Sequence, residues 1–171
     1  MIDKFVIHDL FAGILRRKEP FLSFLHIGPV TDCIDDFIHD FPSMNGFFVD
    51  SDMARCHKYQ KKYGPRHRVY NFTIGTENMF NSSFDENMEN YYPDGVEIRT
   101  YPFRRAFSFI SIGNGPYSFL ILKQIDLSDC DLLMVEYDMF NEQDRIAICE
   151  YCAKFRMTYI PGNNCLIFYK L

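Results

Sequence analysis

No uninterrupted apolar stretch in the sequence approaches the roughly 18 residues that a membrane-spanning helix needs, so no segment reads as a span. A basic excess is also missing. With 18 Lys and Arg against 23 Asp and Glu, the net charge is -5, which disfavours broad binding to a phosphate backbone because such binding draws on clustered cations releasing counterions. The opening MIDKFVIHDLFAGILRRKEP places acids before its apolar residues and basic residues after them, the reverse of a secretory signal. These absences predict a soluble, cytoplasmic protein with no membrane partner.

The six cysteines, at 33, 56, 130, 149, 152 and 165, lack framework spacing and read as reduced and packed. Cys149 and Cys152 form one C-x-x-C, with no second pair at a matching distance. Ile146, Cys149, Cys152 and Ala153 instead make one apolar face of a helix. None of the five histidines is paired as helical metal ligands are, so no metal site is expected. Internal repeats are absent.

What is present suits one compact domain, since 171 residues at 47% hydrophobic can bury a single sizeable core. Residues 1–20 predict a helix packed on that core, capped by Asp3, with Ile7, Leu10, Phe11 and Ile14 facing one sheet edge and Pro20 ending it. Residues 21–171 then alternate strands and helices. Phe21 to Leu25 is a short, nearly continuous apolar run, as in a strand buried on both faces. Thr31 is placed to cap a helix whose Ile34, Phe37, Ile38 and Phe41 recur at i, i+3, i+4 and i+7. Phe47 to Val49 is a second strand ending at Asp50. A helix capped by Ser51 or Asp52 follows, burying Cys56, Tyr59 and Tyr63 and ending at Gly64 and Pro65. Further strands are expected at Val69–Phe72, Phe107–Ile112 and Asp131–Tyr137, with helices at Tyr117–Gln124 and Asn141–Phe155. Met157–Ile160 and Cys165–Tyr169, joined across PGNN, make a terminal hairpin.

This order predicts an α/β fold with a mostly parallel, doubly wound sheet of Rossmann-like type and an antiparallel C-terminal hairpin, in which ligands sit outside the strands' carboxyl ends. Residues 76–95 break the pattern. They hold Glu77, Asp85, Glu86, Glu89 and Asp94 with no basic residue, and read as an irregular surface insertion or a lid. KYQKKYGPRHRVY gathers Lys58, Lys61, Lys62, Arg66, His67 and Arg68 among three tyrosines, a mixture that either binds single-stranded nucleic acid or is the solvated end of a helix.

Six segments in order carry a resemblance that runs from about Phe21 to the C-terminus. FLHIGPVTD is similar to a first-strand turn usually written F-L-D-I-G-A-N-x-G. GFFVDSD is similar to a second strand ending in an acid, and VYNFTIGT to a third with its small residue and glycine. FSFISIGNGPYSFLILKQID resembles an L-S-I-D-V-E-G-x-E-x-x-V-L-x-G segment, and LLMVEYD the strand after it. GNNCLIFYKL ends as such chains end. In these segments the sequence resembles the FkbM-type, S-adenosylmethionine-dependent methyltransferases, which mostly methylate hydroxyl groups.

That resemblance implies S-adenosylmethionine as cofactor and a small hydroxyl-bearing acceptor. It implies that Gly28 lets the backbone approach the donor's methionine part, that Asp50 accepts from the two ribose hydroxyls, and that Asn71 or Thr73 borders the adenine. Asp50 also suits the role as an acceptor-only carboxylate at a strand end; its plainer reading is a helix cap. The departures concern chemistry. His26 stands where the family has an acid that helps hold the donor's ammonium group, Pro29 removes a backbone amide, and Asp32 replaces the turn's second glycine. Gly113 and Gly115 fall on the family's D-x-E pair, so no catalytic residue is assigned. Glu136 and Asp138 are the nearest remaining acids, either facing the cleft or solvated at a strand end. Two functions follow: methyl transfer, or a degenerate relative that serves as a binding or scaffolding domain with a protein partner.

Overall fold

The computed structural model describes residues 9, 12–15, 22–75, 98–113, 117–136, 142–161 and 165–170. In chain order the elements are β1 (Ser23–Ile27), α1 (Asp32–Asp40), β2 (Asn45–Asp50), α2 (Met53–Tyr63), a 3-10 turn (Gly64–Arg66), β3 (His67–Asn71), β4 (Thr73–Ile74) and β5 (Ile98–Arg99). There follow β6 (Phe109–Ile112), α3 (Ser118–Leu122), β7 (Leu132–Glu136), α4 (Glu142–Ala153), β8 (Thr158–Pro161) and β9 (Cys165–Tyr169).

One seven-stranded sheet runs in the order β3-β2-β1-β6-β7-β9-β8. The pairs from β3 to β7 are parallel, while β9 is antiparallel to both β7 and β8. The expected doubly wound sheet and terminal hairpin are therefore both present. The order reverses between β1 and β6, and in open α/β sheets such a switch point, here at the carboxyl ends of β1, β2 and β6, is where ligands bind.

Alternation along the strands divides the core into two layers. Phe24, Phe48, Phe109, Met134 and Ile167 point to one face, where Ile34, Phe37 and Ile38 of α1 and Tyr59 of α2 cover them. Leu25, Phe47, Ile110, Leu133 and Phe168 point to the other, under α3 and α4. Every residue of β1 and β6 is buried, the polar Ser23, His26 and Ser111 included, which is why neither strand shows an alternation of apolar and polar residues. Aromatic rings fill much of both layers, and each fully buried Phe contributes roughly 1.5–3 kcal/mol.

Several local expectations shift. Helical residues 12–15 bury Ala12 and Leu15 in the layer that contains Phe24, Phe109 and Ile167, so this turn lies over a face of the sheet and not along an edge. Ile7, Leu10 and Phe11 lie outside the described residues. The third strand is His67–Asn71, two residues earlier than expected, because Phe72 turns into the separate ribbon of β4 and β5. In α4 the buried pair is Ile148 and Cys152, while Ile146 is 49% exposed and Ala153 is also exposed. Every cysteine outside position 33 is a free thiol, and no metal-binding cluster occurs among the described residues. No described helix is long and apolar enough to cross a membrane. The stretch 76–95, Gly115 and Asp138 lie outside the described residues.

Candidate functional site

Strand β1 ends at Ile27, and Gly28 takes φ +102, a conformation that needs glycine because a Cβ there would stand 2.5 Å from the Gly113 carbonyl oxygen. The turn that follows is held inside the chain on every side. Gly28 N–H donates to Val49 O at 2.8 Å, and Val30 N–H donates to the Tyr59 hydroxyl at 2.9 Å. Pro29 has no N–H to offer. Thr31 occupies the N-cap position of α1 yet makes no side-chain cap bond; its hydroxyl donates instead to Glu136 Oε1 at 3.1 Å.

His26 lies beneath this turn, fully buried. Its Nε2 is 3.0 Å from Pro29 O, and since a carbonyl only accepts, the ring is the neutral tautomer protonated at Nε2. Burial pushes its pKa down to about 4, against the raising effects of the turn's backbone and of Asp50. His26 is thus a neutral pin of the turn. It offers no negative charge to an ammonium group.

Asp50 lies at the carboxyl end of β2, its side chain fully buried. Oδ1 accepts from Asp52 N–H at 2.8 Å and from Arg55 Nη2 at 2.8 Å, while Oδ2 accepts from Arg55 Nε at 2.7 Å and from the Tyr59 hydroxyl at 3.2 Å. A carboxylate has about four lone-pair sites, two on each oxygen. All are taken. The sequence dictates this locally: Asp52 caps α2 by accepting from Arg55 N–H at 3.0 Å, which fixes the first turn so that Arg55 faces back to the strand end. Tyr59, one turn further along, joins the two halves of the site by donating to Asp50 and accepting from Val30. Burial raises its phenol to about pKa 12, so it stays a donor.

Asn71 is in register with Asp50, and its Nδ2 donates to the Asp50 and Ser51 carbonyls at 3.0 and 2.9 Å. It therefore holds the β2–α2 turn. Thr73, two residues beyond, is buried on the small ribbon, and its hydroxyl has no hydrogen-bond partner. The structure thus brings Gly28, Asp50 and Asn71 together at the strand ends and sets Thr73 just past them. Arg55 and Tyr59, which occupy the site, carry no sequence signal of that role beyond lying one and two turns after the acid.

Gly113, on the family's first acidic position, follows β6, and its N–H donates to Ile27 O at 2.7 Å. The space above it holds the Glu136 carboxylate. The basic stretch is divided between two faces. Lys58, Lys61 and Lys62 are exposed on α2, Arg66 donates to Pro42 O at 2.8 Å, and His67 is buried. Arg68 lies on the opposite face of the sheet, over Phe47.

These residues do not fit S-adenosylmethionine as they stand. Asp50 is saturated, the Gly28 and Val30 amides are committed within the protein, and His26 is a neutral imidazole where the resemblance places an acid.

No family profile matches the sequence, and no curated protein matches it. Among solved structures, the chain is similar to the CurJ carbon methyltransferase, with a TM-score of 0.54 at 10% identity over 97% of this chain and 53% of that one. It is similar to the plantazolicin methyltransferase BpumL, solved in complex with SAH, with a TM-score of 0.53 at 10% identity over 98% of this chain and 82% of that one. Coclaurine N-methyltransferase aligns over 78% of this chain with a TM-score of 0.41 at 11% identity. The chain spans about half the length of CurJ and about a third of coclaurine N-methyltransferase. The protein has the Rossmann-like fold of the methyltransferases.

Proposed function

We propose that the chain is a degenerate, non-catalytic member of the methyltransferase fold, acting as a binding or scaffolding domain for a partner. The observation that supports this reading is the saturation of Asp50: the one carboxylate suited to two ribose hydroxyls already accepts four hydrogen bonds, three of them from Arg55 and Tyr59. The matching segments support descent from the FkbM-type branch, with Gly28, Asp50, Asn71 and Thr73 as the former donor site.

A second reading is methyl transfer from S-adenosylmethionine to a small hydroxyl-bearing acceptor. It is favoured by the 37% exposure of the Arg55 side chain, which lets the guanidinium swing into solvent when ribose hydroxyls replace it. Glu136 then offers the negative charge that His26 lacks. No step is derived through the donor, because the residues as placed do not receive it.

Thermal denaturation with and without 1 mM S-adenosylmethionine or S-adenosylhomocysteine separates the two. A ligand bound a hundredfold above its Kd stabilises by about 2.7 kcal/mol, which moves the midpoint by several degrees. The first reading predicts no shift with either compound. A clear rise with both supports the second.

A further inference from the structure

Away from the strand-end site, the described residues hold a second feature, on the face of the sheet opposite α2. Arg68 of β3 and Arg105 both lie over the Phe47 ring, at 5.8 and 5.1 Å from its centroid. Arg105 also lies 5.3 Å from the centroid of Phe107, and Arg99 lies 5.1 Å from that of Phe72. With Arg104 this makes four exposed arginines from two separate stretches of chain, 68 and 99–105. Among the described residues, no carboxylate forms an ion pair with Arg68, Arg104 or Arg105.

Between the cations are rings that remain partly open to solvent. Phe103 contacts Tyr70 and Tyr101 at centroid distances of 5.4 and 5.5 Å, and none of the three is fully buried. The rings beneath Arg68 and Arg105 attract the guanidinium groups through their π faces, which favours their lying over this surface. Guanidinium forks match phosphate oxygens, and adjacent ring faces match bases.

We propose that this face binds single-stranded nucleic acid, with Arg68, Arg104 and Arg105 on phosphates and Tyr70, Tyr101 and Phe103 on bases. The net charge of -5 keeps a polyanion off the rest of the surface and confines contact to this patch. A plain acidic surface of another protein has the charge to match the arginines but nothing to place on three open rings. The proposal is independent of whether the strand-end site receives a nucleoside. It also differs from a reading of the linear stretch at 58–68, since only Arg68 of those residues belongs to this face.

The test is fluorescence polarisation of a labelled ten-nucleotide oligouridine with the full chain. Binding is expected at 50 mM salt, weakening about twenty-fold by 200 mM if three phosphates are engaged, given a logarithmic slope of roughly 0.7 per phosphate on single strands. Arg68→Gln with Arg105→Gln is expected to weaken binding tenfold or more, whereas Lys58→Gln, Lys61→Gln and Lys62→Gln together leave it within twofold. An abasic strand of the same length, tested on the unaltered protein, is expected to bind at least tenfold more weakly. Absence of binding at 50 mM salt overturns the proposal. So does equal affinity for the abasic strand or for polyglutamate, which assigns the patch to acidic polymers in general, and so does a loss that follows the lysines.

Discussion

The Glu136 carboxylate lies where a side chain on Gly113 would have to go: a Cβ at 113 would stand 2.9 Å from Oε2 and 3.5 Å from Cδ. The obstacle is the end of a flexible side chain, which can move. At Gly28 the obstacle is backbone, 2.5 Å away, and φ is +102. Gly113→Ala is therefore expected to cost less than about 1 kcal/mol and Gly28→Ala about 2 kcal/mol or more. Urea denaturation midpoints check the order, and equal costs would contradict the close approach of Gly28 to Gly113.

His26 makes stability depend on pH. Unfolded, it takes a proton near pH 6.5, and folded, near pH 4. Between those values the unfolded chain binds more protons, so stability rises with pH, is complete above about 6.5 and declines as the pH falls toward 4. The full window corresponds to about 3 kcal/mol. His67 is shifted downward too, by burial and by Arg66. His26→Gln keeps a donor near Pro29 O and removes the titration, so the difference between the two proteins should narrow as the pH falls across this window. A constant difference would show that the ring is not buried as a neutral group.

Two ion pairs of like chemistry should differ in worth. Arg55 faces a carboxylate with no exposure, whereas Lys62 and Asp35 are 57% and 38% exposed. Arg55→Met leaves a buried charge short of two donors and is expected to cost about 2–3 kcal/mol, while Lys62→Met costs under about 1 kcal/mol. Chemical denaturation of the two variants measures the contrast.

Burial raises the thiols of Cys56, Cys130, Cys149 and Cys152, with Cys130 pushed up to about 12. Because the thiolate is the reactive form, native protein at neutral pH should react slowly with a thiol reagent at these positions and rapidly once unfolded. Fast native modification of Cys149 together with Cys152 would restore a redox reading of the C-x-x-C.

Much of the fold was legible because its strands are buried on both faces, and buried strands leave largely apolar stretches such as 23–27 and 109–112 with no alternating exposed polar face. The α1 stripe Ile34, Phe37, Ile38 and Phe41 is buried as its spacing implies. The α4 face was misread, since Ile146 and Ile148 are equally apolar and only the crossing onto the sheet decides which is covered. The convergence of Gly28, Asp50 and Asn71 at neighbouring strand ends follows from the strand order that the sequence implies. Occupancy was not legible: that Arg55 and Tyr59 turn toward Asp50 depends on side-chain direction over one and two helical turns, which residue types alone do not fix. The same holds for Arg68, whose direction across the sheet separates it from its basic neighbours.

Calorimetric titration of the unaltered protein and of Asp50→Ala with S-adenosylhomocysteine bears most directly on the engaged carboxylate. Neither protein is expected to release heat beyond dilution up to millimolar ligand. Micromolar binding to the unaltered protein that disappears in Asp50→Ala would contradict the account, because Asp50 would then be exchanging Arg55 for ribose.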